Sequence, residues 1–236
     1  MYDKIMDLSL FKGINRETLS TFLEKTHLHF RNFQPGEKVI APDEECDFVR
    51  CVIKGNAGIC RSTVNGNITL TEIVGEGYFF GVERLFGLNR RYCMDVRAVT
   101  ELSVIEFSKR QYVEFIKKND ILLINLLNML SRICQRFEEV MLYEYEGTCI
   151  SEITKLVEAF TSRESKGITV SYKGQDLQEN ISRTKGNERH ILSSLIDRGI
   201  ISVEGETISI TDRCGFLQTI NELSGSHDAT GSDKLI

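Results

Sequence analysis

The chain has 236 residues, 41% of them apolar, and a formal net charge of −5. That is room for two small domains with proper cores and too little positive charge for indiscriminate polyanion binding, though one local basic face stays open. It begins Met1-Tyr-Asp-Lys with no export signal, no apolar run approaches the ~20 residues of a membrane span, and seven scattered cysteines read as reduced thiols; a cytoplasmic protein with no membrane partner is expected.

In chain order, Asn15 to Thr26 reads as a short helix with Leu19, Phe22 and Leu23 on one face and Asn15 as N-cap. From His29 to Phe107 the period changes. Ala57–Arg61, Ile68–Ile73 and Val99–Ile105 are strand-like, and Pro35-Gly36, Lys54-Gly55, Asn65-Gly66 and Gly75-Glu76-Gly77 punctuate them. Short strands at roughly ten-residue intervals predict a sandwich or small barrel. Past Ser108 the pattern is helical. Leu123, Leu127, Leu130, Cys134, Phe137 and Met141 alternate spacings of four and three, the seam of a coiled coil. A second stripe, Leu122, Leu126, Met129, Ile133 and Val140, lies beside it. Such a helix is either buried wholly within its own domain or, as the width of its apolar arc favours, packs one face on the barrel and the other on a second subunit.

Tyr143 to Thr148 interrupts that helix, with Gly147 as a hinge. A further helix from Cys149 is expected to bury Ile150, Ile153, Val157 and Phe160, and Ile168–Tyr172 reads as a strand. Two short helices follow, around Gln175–Ile181 and Lys185–Arg198, the second capped by Thr184 and ended by Gly199. Ile201–Ile210 reads as a hairpin turning at Gly205. Residues 224–236 have the composition of a disordered tail.

The run Gly77-Tyr-Phe-Phe-Gly81-Val-Glu-Arg-Leu85-Phe86 with Val96-Arg97-Ala98, and Gln175-Asp-Leu177 with Ile191-Leu192 through Gly199-Ile-Ile201, resembles the Crp–Fnr family of bacterial transcription regulators. The resemblance covers about Leu10 to Ile210. It implies an α+β chain: an N-terminal double-stranded β-helix (jelly-roll) sensor barrel over 1–118, a dimerisation helix and hinge over 119–146, and a winged helix-turn-helix over 147–223. It further implies a homodimer, a near-palindromic double-stranded DNA operator as partner, and RNA polymerase as a candidate partner.

Candidate DNA contacts are Arg183, Thr184, Lys185, Asn187, Arg189 and His190, in or just before the first turns of the second helix. Ile191, Leu192, Leu195 and Ile196 would form its buried face. The family's arginine, glutamate and second arginine fall on Lys185, Gly186 and His190. Glu188 stands where it buries a valine, and Ser182 replaces the turn glycine. A different target sequence is therefore expected. A ligand- or partner-binding regulator with a degraded reading helix is the alternative.

The candidate effector pocket comprises Gly81, Val82, Glu83, Arg91, Tyr92 and Cys93. Nucleotide-binding relatives place a ribose-binding glutamate at the position of Val82 and a phosphate-binding arginine–serine pair at Tyr92-Cys93. Valine accepts no hydroxyl and tyrosine brings no charge, which argues against cyclic AMP and leaves another small molecule, no barrel ligand, or a different input. Glu83 and Arg91 stand one position away, so a register shift would restore both. No cofactor is assigned. Cys46-x₄-Cys51-x₈-Cys60 is a poor cluster spacing, and His27-x-His29 lacks histidine partners nearby. No histidine lies between Arg31 and Phe107 for a metal-dependent barrel enzyme, and no catalytic triad or phosphate-cradling loop stands out, so no enzyme is expected.

Overall fold

The computed structural model describes residues 5–6, 8–25, 28–142 and 148–223. They form two compact units. The first runs to Arg61 and resumes from Ile73 through the long helix. The second takes Ser62–Glu72 together with the chain beyond the long helix.

In the first unit, α1 (Arg16–Lys25) is capped by Asn15, whose Oδ1 accepts from the Thr18 amide at 2.7 Å. Strands β1 (His29–Phe33), β2 (Lys38–Ile40), β3 (Phe48–Lys54), β4 (Ala57–Ser62), β5 (Ile68–Val74), β6 (Phe79–Phe80), β7 (Asp95–Ala98) and β8 (Leu102–Ser108) follow. One antiparallel sheet is ordered β1-β8-β3-β6, and β2, β7 and β4 pair in a second. The expected closed barrel is not formed. The edge strands β6 and β2 have two and three residues, too few to zip the sheets into a ring.

The strand expected over Val99–Ile105 starts later, at Leu102. The Val99 amide donates to Asn56 O at 2.9 Å and Thr100 Oγ1 accepts from the Asn56 amide at 3.0 Å, which folds 99–101 into a turn. A separate strand, β7, precedes that turn.

Ser108 and Gln111 form a capping box for α2 (Lys109–Ile116). The long helix α3 (Asp120–Leu142) sends Leu122 and Leu126 into the core shared with Phe107, Tyr112 and Ile116. Its other stripe, with Leu123, Leu127, Cys134, Phe137 and Met141, is exposed, and Leu130 is half-buried.

In the second unit, Thr148 and Ser151 form a capping box for α4 (Cys149–Phe160). Ile150, Ile153 and Val157 are buried as expected, whereas Phe160, at the last turn, is 40% exposed. Then come β9 (Gly167–Tyr172), α5 (Leu177–Arg183), α6 (Gly186–Asp197), the hairpin β10 (Ile201–Glu204) and β11 (Thr207–Ile210), and α7 (Arg213–Leu223), which the sequence reading did not separate. The sheet here is ordered β10-β11-β9-β5.

The segment 62–72 thus departs from the expected domain division, which kept it within 1–118. Leu70 is buried with Ile153, Val170 and Ile208. The Lys173 amide donates to Asn67 O at 2.8 Å, and the fully buried Glu72 accepts from the Ser162 amide at 2.5 Å, just past the α4 terminus. The hinge at Tyr143–Gly147 and the tail at 224–236 lie outside the described residues.

Candidate functional sites

The pocket residues cluster around Gly81, which starts the 3₁₀ turn Val82–Arg84 at φ 59°. A side chain there would be strained, and its Cβ would stand 2.3 Å from Tyr92 Cε1. The Tyr92 ring therefore packs on the bare Cα and is 1% exposed. Burial pushes its hydroxyl far above the ordinary tyrosine range. The hydroxyl faces the Cys46 thiol, itself raised by burial, but makes no hydrogen bond of ordinary geometry.

Val82 is buried; Glu83, Arg91 and Cys93 are exposed. Arg91 Nη1 donates to Asp43 O at 2.6 Å, and Cys93 Sγ accepts from Arg84 Nη2 at 3.3 Å. The one-residue shift that would turn Glu83 and Arg91 inward does not occur: both side chains stay exposed, and Arg91 ties down the loop through Asp43 O.

Sequence reasoning missed a charged network in the same unit. Arg50 lies in an apolar strand run and is 5% exposed. Its Nε donates to Glu106 Oε1 at 2.8 Å, and its Nη2 pairs with Glu44 Oε1 at 2.7 Å. Arg31 reaches the same Glu106 oxygen at 3.5 Å. The Arg50 Nη1 has no hydrogen-bond partner. The available signal was a single charge within Phe48–Ile53.

In the second unit, α6 buries Ile191, Leu192 and Leu195. Ile196 is 43% exposed, not part of the buried face. Lys185, Asn187, Arg189 and His190 are exposed. Asn187 Nδ2 donates to Leu223 O at 3.1 Å, tying it to the end of α7. Arg183 pairs with Glu179 on α5. Thr184 is the C-cap of α5, its Oγ1 donating to Asn180 O at 3.0 Å; Lys185 occupies the α6 N-cap, with no side-chain cap bond. Gly186 stands at φ 66°, a left-handed turn that brings the chain from α5 into α6. The residue that would weaken a regular helix is here required by the backbone. Gly199 closes α6 at φ 67°, and Gly205 turns the hairpin.

Glu188 is explained by its neighbour. Its Oε1 accepts from the Ile150 amide at 3.1 Å, closing one open donor of the α4 N-terminus. Among the described residues, no group of three or more His, Cys, Asp and Glu side chains could hold a metal ion, and no helix is long and apolar enough to cross a membrane. His27 lies outside those residues.

Residues 30–119 match the family model of the cyclic nucleotide-binding domain. The "cAMP-activated global transcriptional regulator CRP" of Haemophilus influenzae is 23% identical over 216 residues, covering 88% of this chain and 95% of that protein. Its namesake from Pasteurella multocida is 22% identical over 200 residues, 82% and 94% of the two chains. Among solved structures, the sensor domain of the transcriptional regulator DNR from Pseudomonas aeruginosa superposes with a TM-score of 0.50 at 21% identity, covering 62% of this chain and 95% of that domain. The fold of that sensor domain and the extent of the sequence matches agree with the Crp–Fnr resemblance of residues 77–98 and 175–201.

Proposed function

We propose that this chain is a transcription regulator of the Crp–Fnr type that binds DNA as a homodimer and takes its input through the first unit. The observation that carries the reading is α6. Three apolar residues anchor one side of it, and Lys185, Arg189 and His190 stand exposed at its start, where a reading helix meets base edges and phosphates. The β10–β11 hairpin supplies the wing, and Arg183 and Thr184 lie at the approach. The exposed stripe Leu123, Leu127, Cys134, Phe137 and Met141 supports self-association through α3, in keeping with its coiled-coil spacing. Relatives similar over most of their length are named as transcriptional regulators.

The input is not cyclic AMP held in the usual way, because Val82 and Tyr92 stand where nucleotide-binding relatives place the ribose-binding glutamate and the phosphate-binding arginine. A second reading, a partner-binding regulator whose helix no longer reads bases, draws on Gly186 and the Asn187–Leu223 tie. Selection of bound fragments from random DNA at stated salt separates the two. The first reading expects a near-palindrome with half-sites ~34 Å apart or a multiple of that. Recovery of no specific sequence, with and without added cell metabolites, overturns it in favour of the second.

A further inference from the structure

We propose that Arg50 and Tyr92 form a recognition site for a small apolar carboxylate, and that Glu44 of the chain itself holds the anion's place beside Arg50. This rests on reading the first unit as a sensor.

Arg50 has two unequal partners. Glu106 is on β8 and is as buried as Arg50, and it takes Nε at 2.8 Å. Glu44 is in the connection between β2 and β3, its side chain a third exposed, and it takes only Nη2 at 2.7 Å. Its other oxygen accepts from the Ala41 amide at 3.2 Å, so it does not span the guanidinium. Nη1 is left without a hydrogen bond in a buried setting, which is costly for a charged donor. A carboxylate lying across Nη1 and Nη2 makes the two parallel bonds that an arginine fork favours. Glu44 is the more exposed of the two carboxylates, so its side chain is the one a ligand would displace, while its backbone stays paired with Tyr92.

Charge selects the class of ligand. Arg31 and Arg50 balance Glu44 and Glu106. Replacing Glu44 by a monoanion keeps that balance, whereas a phosphate dianion adds uncompensated charge to a buried site. The surroundings select the ligand's body. The Phe48 and Tyr92 rings each lie 5.8 Å from the Arg50 guanidinium carbon, and Phe80 stands opposite Arg50 in the β3–β6 pair. An aromatic or compact aliphatic acid suits this lining, and the Tyr92 hydroxyl, lacking a well-formed hydrogen bond, is a second donor.

Sodium benzoate is the probe, with inorganic phosphate and cyclic AMP as comparisons. All three are titrated into the full chain without DNA, by calorimetry and by thermal unfolding. Benzoate is expected to bind saturably and raise the melting temperature, while phosphate and cyclic AMP do neither at the same concentration. Glu44→Gln removes the internal rival and should tighten benzoate about tenfold; Arg50→Lys keeps the charge, loses the fork and should weaken it about tenfold or more. If Arg50→Lys does not fold, Glu44→Gln decides alone. No saturable benzoate binding, an affinity unchanged in Glu44→Gln, or equal binding of phosphate overturns the proposal. Because no DNA is present, a negative result leaves the regulator reading standing, and a failed DNA selection leaves this site standing.

Discussion

The Glu188 carboxylate accepts a hydrogen bond from the Ile150 amide at 3.1 Å, so the first turn of α6 closes the open end of α4. An acid at a helix N-terminus also meets the positive end of its dipole. Glu188→Val, the residue type the resemblance leads one to expect, leaves that amide without its carboxylate. A loss of about 1 kcal/mol in urea unfolding is expected, the usual worth of an N-terminal cap. Unchanged stability would mean that valine packing offsets the cap.

Cys149 sits beside this contact. Burial, then the Glu188 and Glu152 carboxylates, pushes its thiol from an ordinary 9.0 to about 11. Above the lower value the unfolded chain has lost a proton that the folded chain keeps. The thiol's contribution to stability is therefore complete below pH 9.0 and declines as pH rises towards about 11. Tyr172, buried with its hydroxyl 3.3 Å from Glu152, shifts in the same direction. Urea midpoints measured through that range should fall, and Cys149→Ala should remove part of the fall. A midpoint slope identical in wild type and variant would show that Cys149 contributes nothing and that the other groups raised by burial, Tyr172, Tyr92 and Cys46 among them, carry the fall.

Leu127 is 48% exposed, in the middle of the exposed stripe of α3. Leu127→Glu should therefore leave the fold of the first unit intact and yield monomers by sedimentation. An unchanged mass, with wild type a dimer, would move the dimer interface elsewhere.

Arg189 is exposed in the first turn of α6. Arg189→Ala should weaken binding to the selected DNA site by about 1–3 kcal/mol, the range for one side chain reaching a base, with an unchanged melting temperature. An equal loss of stability would make the residue structural.

Much of this architecture was legible because its signals are local. The turns at Gly36, Gly55, Gly66, Gly77 and Gly205 all stand at positive φ, as glycine between strand-like runs suggests. The two stripes of α3 separated into a buried and an exposed face by spacing alone. The failures have a common cause in contacts between distant residues. Val99-Thr-Glu-Leu102 alternates like a strand, but its hydrogen bonds to Asn56 bend it into a turn. Thr184 looks like a cap for the helix after it, yet it closes the helix before it. Nothing near Glu188 in sequence names Ile150 as its partner. The helix α7 did carry a local signal, Asp212 accepting from the Gly215 amide at 3.0 Å with Phe216 and Ile220 four apart, and it went unread. In the pocket, the replacement of Glu and Arg by Val82 and Tyr92 was readable; that Tyr92 lies on Gly81 was not.

The segment 62–72 has a practical consequence for how this gene can be divided. The chain passes between its two units three times, at Arg61, at Glu72 and after the long helix. A fragment beginning at Thr148 would lack β5, and so would bare one edge of β9, open a hole where Leu70 packs and strip the Ser162 amide of its acceptor. Bare strand edges recruit other strands, so such a fragment would be prone to swapping and aggregation. The C-terminal half is not a cassette: grafted onto another domain, it folds only if it carries its own copy of segment 62–72.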